Sequence, residues 1–296
     1  MTSSASIDTP PPAEDHWPGG LPALRAELDR LDDAMHALLL KRAKVVEHVA
    51  RSGKRAAFRP GREASIIRRL LQNHSGSLPP QTLVRMWREM LAGTTAMQGP
   101  FTVAVYEPER DAAFTQVARE HFGALTPLHA FGSPAQVLGE VARGAAAVGI
   151  MPLPAETDGA RDAWWTGLLQ NEQPRMYVVA RLPFWASPRP DSAPGAQALV
   201  VATTAPDASE ADRSVLGLEL DMDVSRARLT SAFATAGLQL GAVILRRPQG
   251  AAVALGLADV EGFVADDDPR LARLQSVQRP PLVLGAYAVP ATGAST

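Results

Sequence analysis

Between Leu21 and Val49 the apolar residues Leu24, Leu28, Leu31, Met35, Leu38, Leu39, Val45, Val46 and Val49 recur three or four positions apart, which places them along one side of a single long helix. Pro22 is compatible with its first turn, and Ser52-Gly53 marks its expected end. At 1.5 Å per residue such a helix spans roughly 45 Å. That exceeds what one small domain can cover, so the stripe is expected to pack against another chain.

Two further helices follow by the same reasoning. One starts after Arg59-Pro60-Gly61, carries Ile66, Ile67, Leu70 and Leu71, and ends at His74 before Ser75-Gly76-Ser77. The next starts at Pro79-Pro80, carries Leu83, Met86, Trp87, Met90, Leu91, Thr94 and Gln98, and stops at Gly99-Pro100. Ahead of all three, residues 1–19 with Pro10, Pro11, Pro12 and Gly19-Gly20 read as a disordered leader without function.

After Pro100 the pattern changes. Phe101 to Tyr106 alternates like a strand, 111–122 is helical, Ala145 to Met151 is a buried strand and Met176 to Ala180 another, making residues 100–183 a small α/β unit. Residues 184–198, rich in Pro, Ser and Ala, read as a linker. The segment 199–290 reads strand (Leu199 to Thr204), helix (Ser225 to Ala236), strand (Leu240 to Arg246), strand (Ala252 to Leu257), helix (Pro269 to Gln275), strand (Leu282 to Tyr287), an order that suits a ferredoxin-like βαββαβ domain. The fold class is therefore α+β multidomain, with an all-α domain over 20–99.

With 296 residues, 46% apolar and 20% charged, the chain can bury a substantial core. No apolar run is long enough for a membrane span and no secretory signal pattern is visible, so a cytoplasmic protein is expected. The absence of cysteine excludes disulfides and thiolate chemistry, and six scattered His with no ligand-like spacing predict no metal. The net charge of −2 hides an asymmetry, because residues 41–69 hold ten Lys or Arg against two Glu. An anion is one reading of that excess and a solvated basic face the other. Nucleic acid is disfavoured, since Phe58 is the one aromatic residue there to stack on a base.

Seven polar residues interrupt the apolar faces: Arg25, Arg42, Lys54, Arg62, Glu63, Thr94 and Gln98. Arg25 and Arg42 lie 17 positions apart, about 25 Å along the axis, so one small ligand cannot touch both on the same chain. If both serve a ligand, two symmetric sites in a dimer are required. Taken singly, each has a structural reading too: Gln98 as a helix end, Thr94 bonded back to its own helix, Arg62-Glu63 as a surface pair.

Together, Leu24-Arg25, Leu31-Asp32, Leu38-Leu39-Leu40-Lys41-Arg42, Pro60-Gly61-Arg62-Glu63-Ala64 and Thr94 with Gln98 closely resemble the all-helical class of chorismate mutases over nearly all of residues 21–98. The resemblance implies an intertwined homodimer of three helices per subunit that rearranges chorismate to prephenate without a cofactor. It implies that Arg25 from the partner chain and Arg42 clamp the two substrate carboxylates, and that Lys54 and Gln98 donate to the ether oxygen. Glu63 would accept from the ring hydroxyl, Thr94 would assist a carboxylate, and Arg62 would add positive potential. The connection before the second helix is shorter than in well-known members, which makes Arg51 the alternative to Lys54. Arg59 stands where many members carry an acidic residue and is grouped with the substrate-binding residues.

The remainder resembles the prephenate dehydratase and ACT modules of the fused enzyme, with departures. Glu107-Pro108-Glu109-Arg110-Asp111 replaces a Gly-Pro-x-Gly-Ser segment, Pro152-Leu153-Pro154-Ala155 replaces Pro-Ile-Glu-Asn, and Pro174-Arg175-Met176 stands where Thr-Arg-Phe supplies the dehydratase threonine. Ile244-Leu245-Arg246-Arg247-Pro248 and Val283-Leu284-Gly285-Ala286-Tyr287 resemble ACT segments, the former without its Glu and Ser. A truncated, degenerate dehydratase-like unit and an ACT-like domain are expected, with an aromatic amino acid as the implied effector class. The competing readings are a bifunctional mutase/dehydratase and a non-catalytic metabolite-binding regulator.

Overall fold

The computed structural model describes residues 20–52, 58–109, 112–186 and 196–292. The chain divides into two compact units, Met1–Lys54 and Arg55–Thr296. The first holds α1 (Gly20–Arg51), an unbroken helix of 32 residues with no buried residue. Ser52 closes it by donating its hydroxyl to the Val49 carbonyl at 2.7 Å. Leu28, Leu31, Met35, Leu38, Leu39, Val45 and Val49 are all exposed on it. The expected leader at 1–19 and Lys54 lie outside the described residues.

The second unit opens with α2 (Pro60–Gln72) and α3 (Pro80–Ala96), each with proline in its first turn, where the missing N–H has no helical partner to lose. Their inner faces supply Ala64, Ile67, Val84 and Leu91 to a cluster completed by Phe184 and Ala288. The α2–α3 pair therefore shares a core with the sheet that follows.

That sheet has nine strands. In chain order the elements are β1 (Val103–Tyr106), α4 (Ala113–Phe122), β2 (Leu128–Phe131), α5 (Pro134–Ala142), β3 (Val148–Pro152), the single turn α6 (Trp165–Leu168), β4 (Tyr177–Leu182), β5 (Trp185–Ala186), β6 (Ala198–Ala202), β7 (Asp212–Leu220), α7 (Arg226–Ala236), β8 (Leu240–Arg246), β9 (Ala254–Glu261), a 3-10 turn at Leu271–Arg273, β10 (Leu282–Ala288) and β11 (Ala291–Thr292). The strand order is β2-β1-β3-β6-β4-β10-β7-β9-β8, while β5 and β11 form a separate parallel pair. β1 is parallel to both β2 and β3, as βαβ crossovers through α4 and α5 require.

The two halves join where β10 runs parallel to β4, with Gly285 opposite Val178. Gly285 has φ +139°, and a Cβ there would lie 2.0 Å from the Val178 carbonyl oxygen, so the junction needs glycine. Beyond it the order β10-β7-β9-β8, with α7 between β7 and β8, is that of a βαββαβ sandwich.

Three details differ from the sequence reading. The strand expected at Leu199 to Thr204 is present as β6, but it lies antiparallel between β3 and β4 instead of opening the C-terminal sandwich. That place is taken by β7, whose start Asp212-Arg213-Ser214 hides it as a polar segment. A fully buried apolar run shows that a strand exists without showing which sheet receives it. The helix expected from Pro269 to Gln275 contracts to the 3-10 turn, since Asp268 bonds the Arg270 backbone N–H at 2.9 Å and its guanidinium at 2.6 Å in a local turn. Within the expected linker 184–198, Phe184 is buried and Trp185–Ala186 is strand, while 187–195 lies outside the described residues.

Candidate active site

The start of α2 is set by a residue from far along the chain. The Asp207 carboxylate accepts from the backbone N–H of Gly61 at 2.9 Å and of Arg62 at 3.2 Å, and pairs with the Arg59 guanidinium at 3.2 Å. A carboxylate at a helix N-terminus satisfies free N–H groups and complements the macrodipole. A Cβ on residue 61 would fall 2.2 Å from the Asp207 carbonyl oxygen, so glycine admits this approach. About two turns on, Arg68 donates to Ser209 and to the carbonyls of Ala211 and Val289, tying the same helix to the loop before β7 and to the end of β10. Arg59, grouped by sequence with substrate binding, is thus engaged in docking α2, and Arg62 is exposed.

Glu63 turns inward. Its Oε2 accepts from Arg88 of α3 at 3.0 Å. Arg88 is 4% exposed, and its guanidinium lies over the Phe184 ring at 5.2 Å and beside His121 Nε2 at 3.5 Å. Desolvation lowers the Arg88 pKa and the Glu63 carboxylate opposes that shift. His121 is held well below its ordinary value, first by burial and then by the Arg88 charge, so it is neutral, and Nε2 can face the guanidinium as the acceptor.

A pH dependence of stability follows. The unfolded chain protonates His121 near its ordinary value of 6.5, whereas the folded chain resists, so unfolding takes up a proton below that pH. Stability is therefore fully present above about pH 6.5 and falls as pH drops from there toward the depressed folded value. Between pH 7.5 and 5.5 the wild-type Tm should fall by about 3 °C more than that of His121→Asn; parallel decreases in thermal melts would show that His121 does not titrate on unfolding.

At the end of α3, Thr94 donates its hydroxyl to the carbonyls of Met90 and Leu91 at 3.0 Å each, and Gln98 Nε2 donates to the Thr94 carbonyl at 3.1 Å. Both side chains are half-buried; Thr94 bonds back to carbonyls within the helix, and Gln98 satisfies one of its last carbonyls. On α1, Arg25 is exposed in the second turn and Arg42 is half-buried. Arg51, the alternative to Lys54, is exposed and pairs with Glu47 at 3.3 Å. The structure therefore brings Thr94 and Gln98 together and gives Glu63 a buried cation, while Arg25 and Arg42 keep the separation their spacing demands. Among the described residues no group of three His, Asp or Glu is placed to hold a metal ion.

Arg88 and His121 did not emerge from the sequence reading. A signal for Arg88 exists, since it falls on the buried face Val84, Leu91 and Thr95 at i−4, i+3 and i+7. A charge on such a face requires a partner. His121 carries no comparable mark, because its burial depends on where α4 docks.

Residues 24–99 match the family model for chorismate mutase type II. A bifunctional chorismate mutase/prephenate dehydratase from Pseudomonas aeruginosa is 34% identical over 164 residues, covering 51% of this chain and 44% of that protein. The chain spans about half the length of the curated relatives it matches. Among solved structures, a protein described as a novel type of quorum-quenching acylase aligns with TM-score 0.49 at 17% identity, covering 65% of this chain and 96% of the other. The prephenate dehydratase from Streptococcus mutans aligns with TM-score 0.47 at 18% identity, covering 63% and 97%. The 164-residue match is longer than the 24–99 segment, so the similarity to the bifunctional chorismate mutase/prephenate dehydratase extends beyond the part that matches chorismate mutase type II.

Proposed function

We propose that this chain is a chorismate mutase, converting chorismate to prephenate in aromatic amino-acid biosynthesis. The observation that carries the reading is the family match over 24–99, which contains Arg25, Arg42, Lys54, Arg59, Arg62, Glu63, Thr94 and Gln98. The reaction is an intramolecular [3,3] rearrangement in which a carbon–oxygen bond breaks as a carbon–carbon bond forms, with negative charge growing on the ether oxygen. Cations and neutral donors suffice for it. Arg42 and the partner's Arg25 would grip the two carboxylates, holding the folded conformer. Lys54 and Gln98 would stabilise charge that is larger in the transition state than in the substrate. For Gln98 this means exchanging its part-buried bond to the Thr94 carbonyl for one to the substrate. An acceleration of about 10⁶ requires about 8 kcal/mol, within reach of several preorganised donors.

A homodimer is part of the proposal. Most helical stability in proteins comes from packing an amphipathic face, and α1 has no buried residue and exposes most of its apolar stripe. A second copy would bury that stripe and supply Arg25 across the interface. The β10-β7-β9-β8 order supports an ACT-like assignment for the C-terminal part, with an aromatic amino acid as effector. Among the described residues no helix is long and apolar enough to cross a membrane.

The test is loss of chorismate absorbance with purified protein, with and without Phe or Tyr, followed by product analysis. Prephenate as the product supports the mutase. Phenylpyruvate at neutral pH would add dehydratase activity, the second activity in the relative's description. Tight chorismate binding without turnover would identify a regulator instead.

A further inference from the structure

We propose that Arg88 is a positioning residue for Glu63, and that the wall holding Arg88 in place comes from outside the mutase segment, from His121 on α4 and Phe184 after β4. The inference rests on the mutase reading of Glu63 as the acceptor for the substrate ring hydroxyl.

The geometry supports a positioning role over a plain surface ion pair. Arg88 is almost fully buried, whereas the surface pairs Arg30–Glu27 and Arg51–Glu47 leave their arginines largely in water. Its fork meets three different elements: Glu63 Oε2 on α2 at 3.0 Å, the Phe184 ring at 5.2 Å and His121 Nε2 at 3.5 Å. A planar guanidinium stacked on a ring and bonded at its edge has one orientation, which a lysine ammonium on a flexible stem cannot reproduce. Glutamate by contrast has three rotatable bonds, and its carboxylate must be placed to a few tenths of an ångström to receive a substrate hydroxyl. The cation that fixes it is therefore part of what the site needs. Phe184 also packs with Ala64, Ile67, Val84 and Leu91, so a shift of that ring would move both helices that carry Glu63 and Arg88. His121 stacks edge-on against Phe122 at 4.7 Å and stays neutral, so the wall adds no second charge.

The experiment is a coupling cycle on the full chain, reading kcat and KM for chorismate in wild type, Arg88→Lys, Phe184→Leu, Glu63→Gln, and the two doubles with Glu63→Gln. Arg88→Lys should lower kcat about 10-fold with KM changed by less than about 3-fold. Phe184→Leu leaves both charges in place and should lower kcat in the same way, so the test stands even if the lysine variant does not fold. In the Glu63→Gln background neither change should cost more than about 2-fold, because the group being positioned is already altered. Multiplicative losses in the doubles, or unchanged kcat in both single variants, would make Arg88 a purely structural residue and overturn the inference. A wild-type protein that binds but does not convert chorismate would overturn the mutase reading together with it, whereas an active wild type with multiplicative losses would sink this inference alone.

Discussion

Arg42→Ala is expected to lower chorismate turnover by about 10³-fold while helicity, by far-ultraviolet circular dichroism, stays at the wild-type level. Truncating one member of a buried, hydrogen-bonded charge pair typically costs about 4 kcal/mol, which corresponds to roughly that factor in rate. Helicity should survive because Arg42 is half-buried on a helix whose formation depends on its apolar stripe, and alanine is the better helix former. A variant that turns over chorismate within a few-fold of wild type would remove the carboxylate clamp from the mechanism. Loss of activity accompanied by loss of helicity would show instead that Arg42 holds the fold.

Mixing Arg25→Ala with Arg42→Ala subunits should recover activity that neither variant has alone. The two arginines sit 17 positions apart on one straight helix, about 25 Å, so a site using both must draw them from different subunits. In a random 1:1 exchange half of the dimers are mixed, and each mixed dimer holds one intact site and one doubly damaged site. Recovery of about a quarter of wild-type activity is expected, against about 10⁻³ for either parent. Absence of recovery after exchange verified by mass-tagged subunits would mean that each site is built from one chain.

How much of the site was legible in the sequence differs from residue to residue. Arg25, Arg42, Glu63, Thr94 and Gln98 could be singled out because each interrupts an apolar helical face, and a helix face is a local property of spacing. What those side chains touch was less accessible. Thr94 could be read either as a ligand group or as bonded back to its helix, and in the structure it is bonded back, to Met90 and Leu91. Glu63 could be read as paired with its neighbour Arg62, and in the structure it accepts from Arg88, 25 positions away. Arg59, in a stretch whose positive charge suggested an anion, is paired with Asp207.

The fold divides in the same manner. α1, α2 and α3 were readable with their boundaries because periodicity, proline and glycine act within a few residues. β6 and β7 were not placed, since a strand's partners are chosen by the whole sheet.

The amino-acid sequence alone thus determined that three amphipathic helices form, set by spacing within single helices, and it carries over residues 24–99 a stretch similar to chorismate mutase type II. Only the tertiary structure decided that Asp207 starts α2 from 146 positions away, that β10 joins β4 through Gly285, and that Glu63, Arg88, His121 and Phe184 meet. Those contacts depend on which buried surfaces find each other when the chain closes its long loops, and no local pattern encodes that choice.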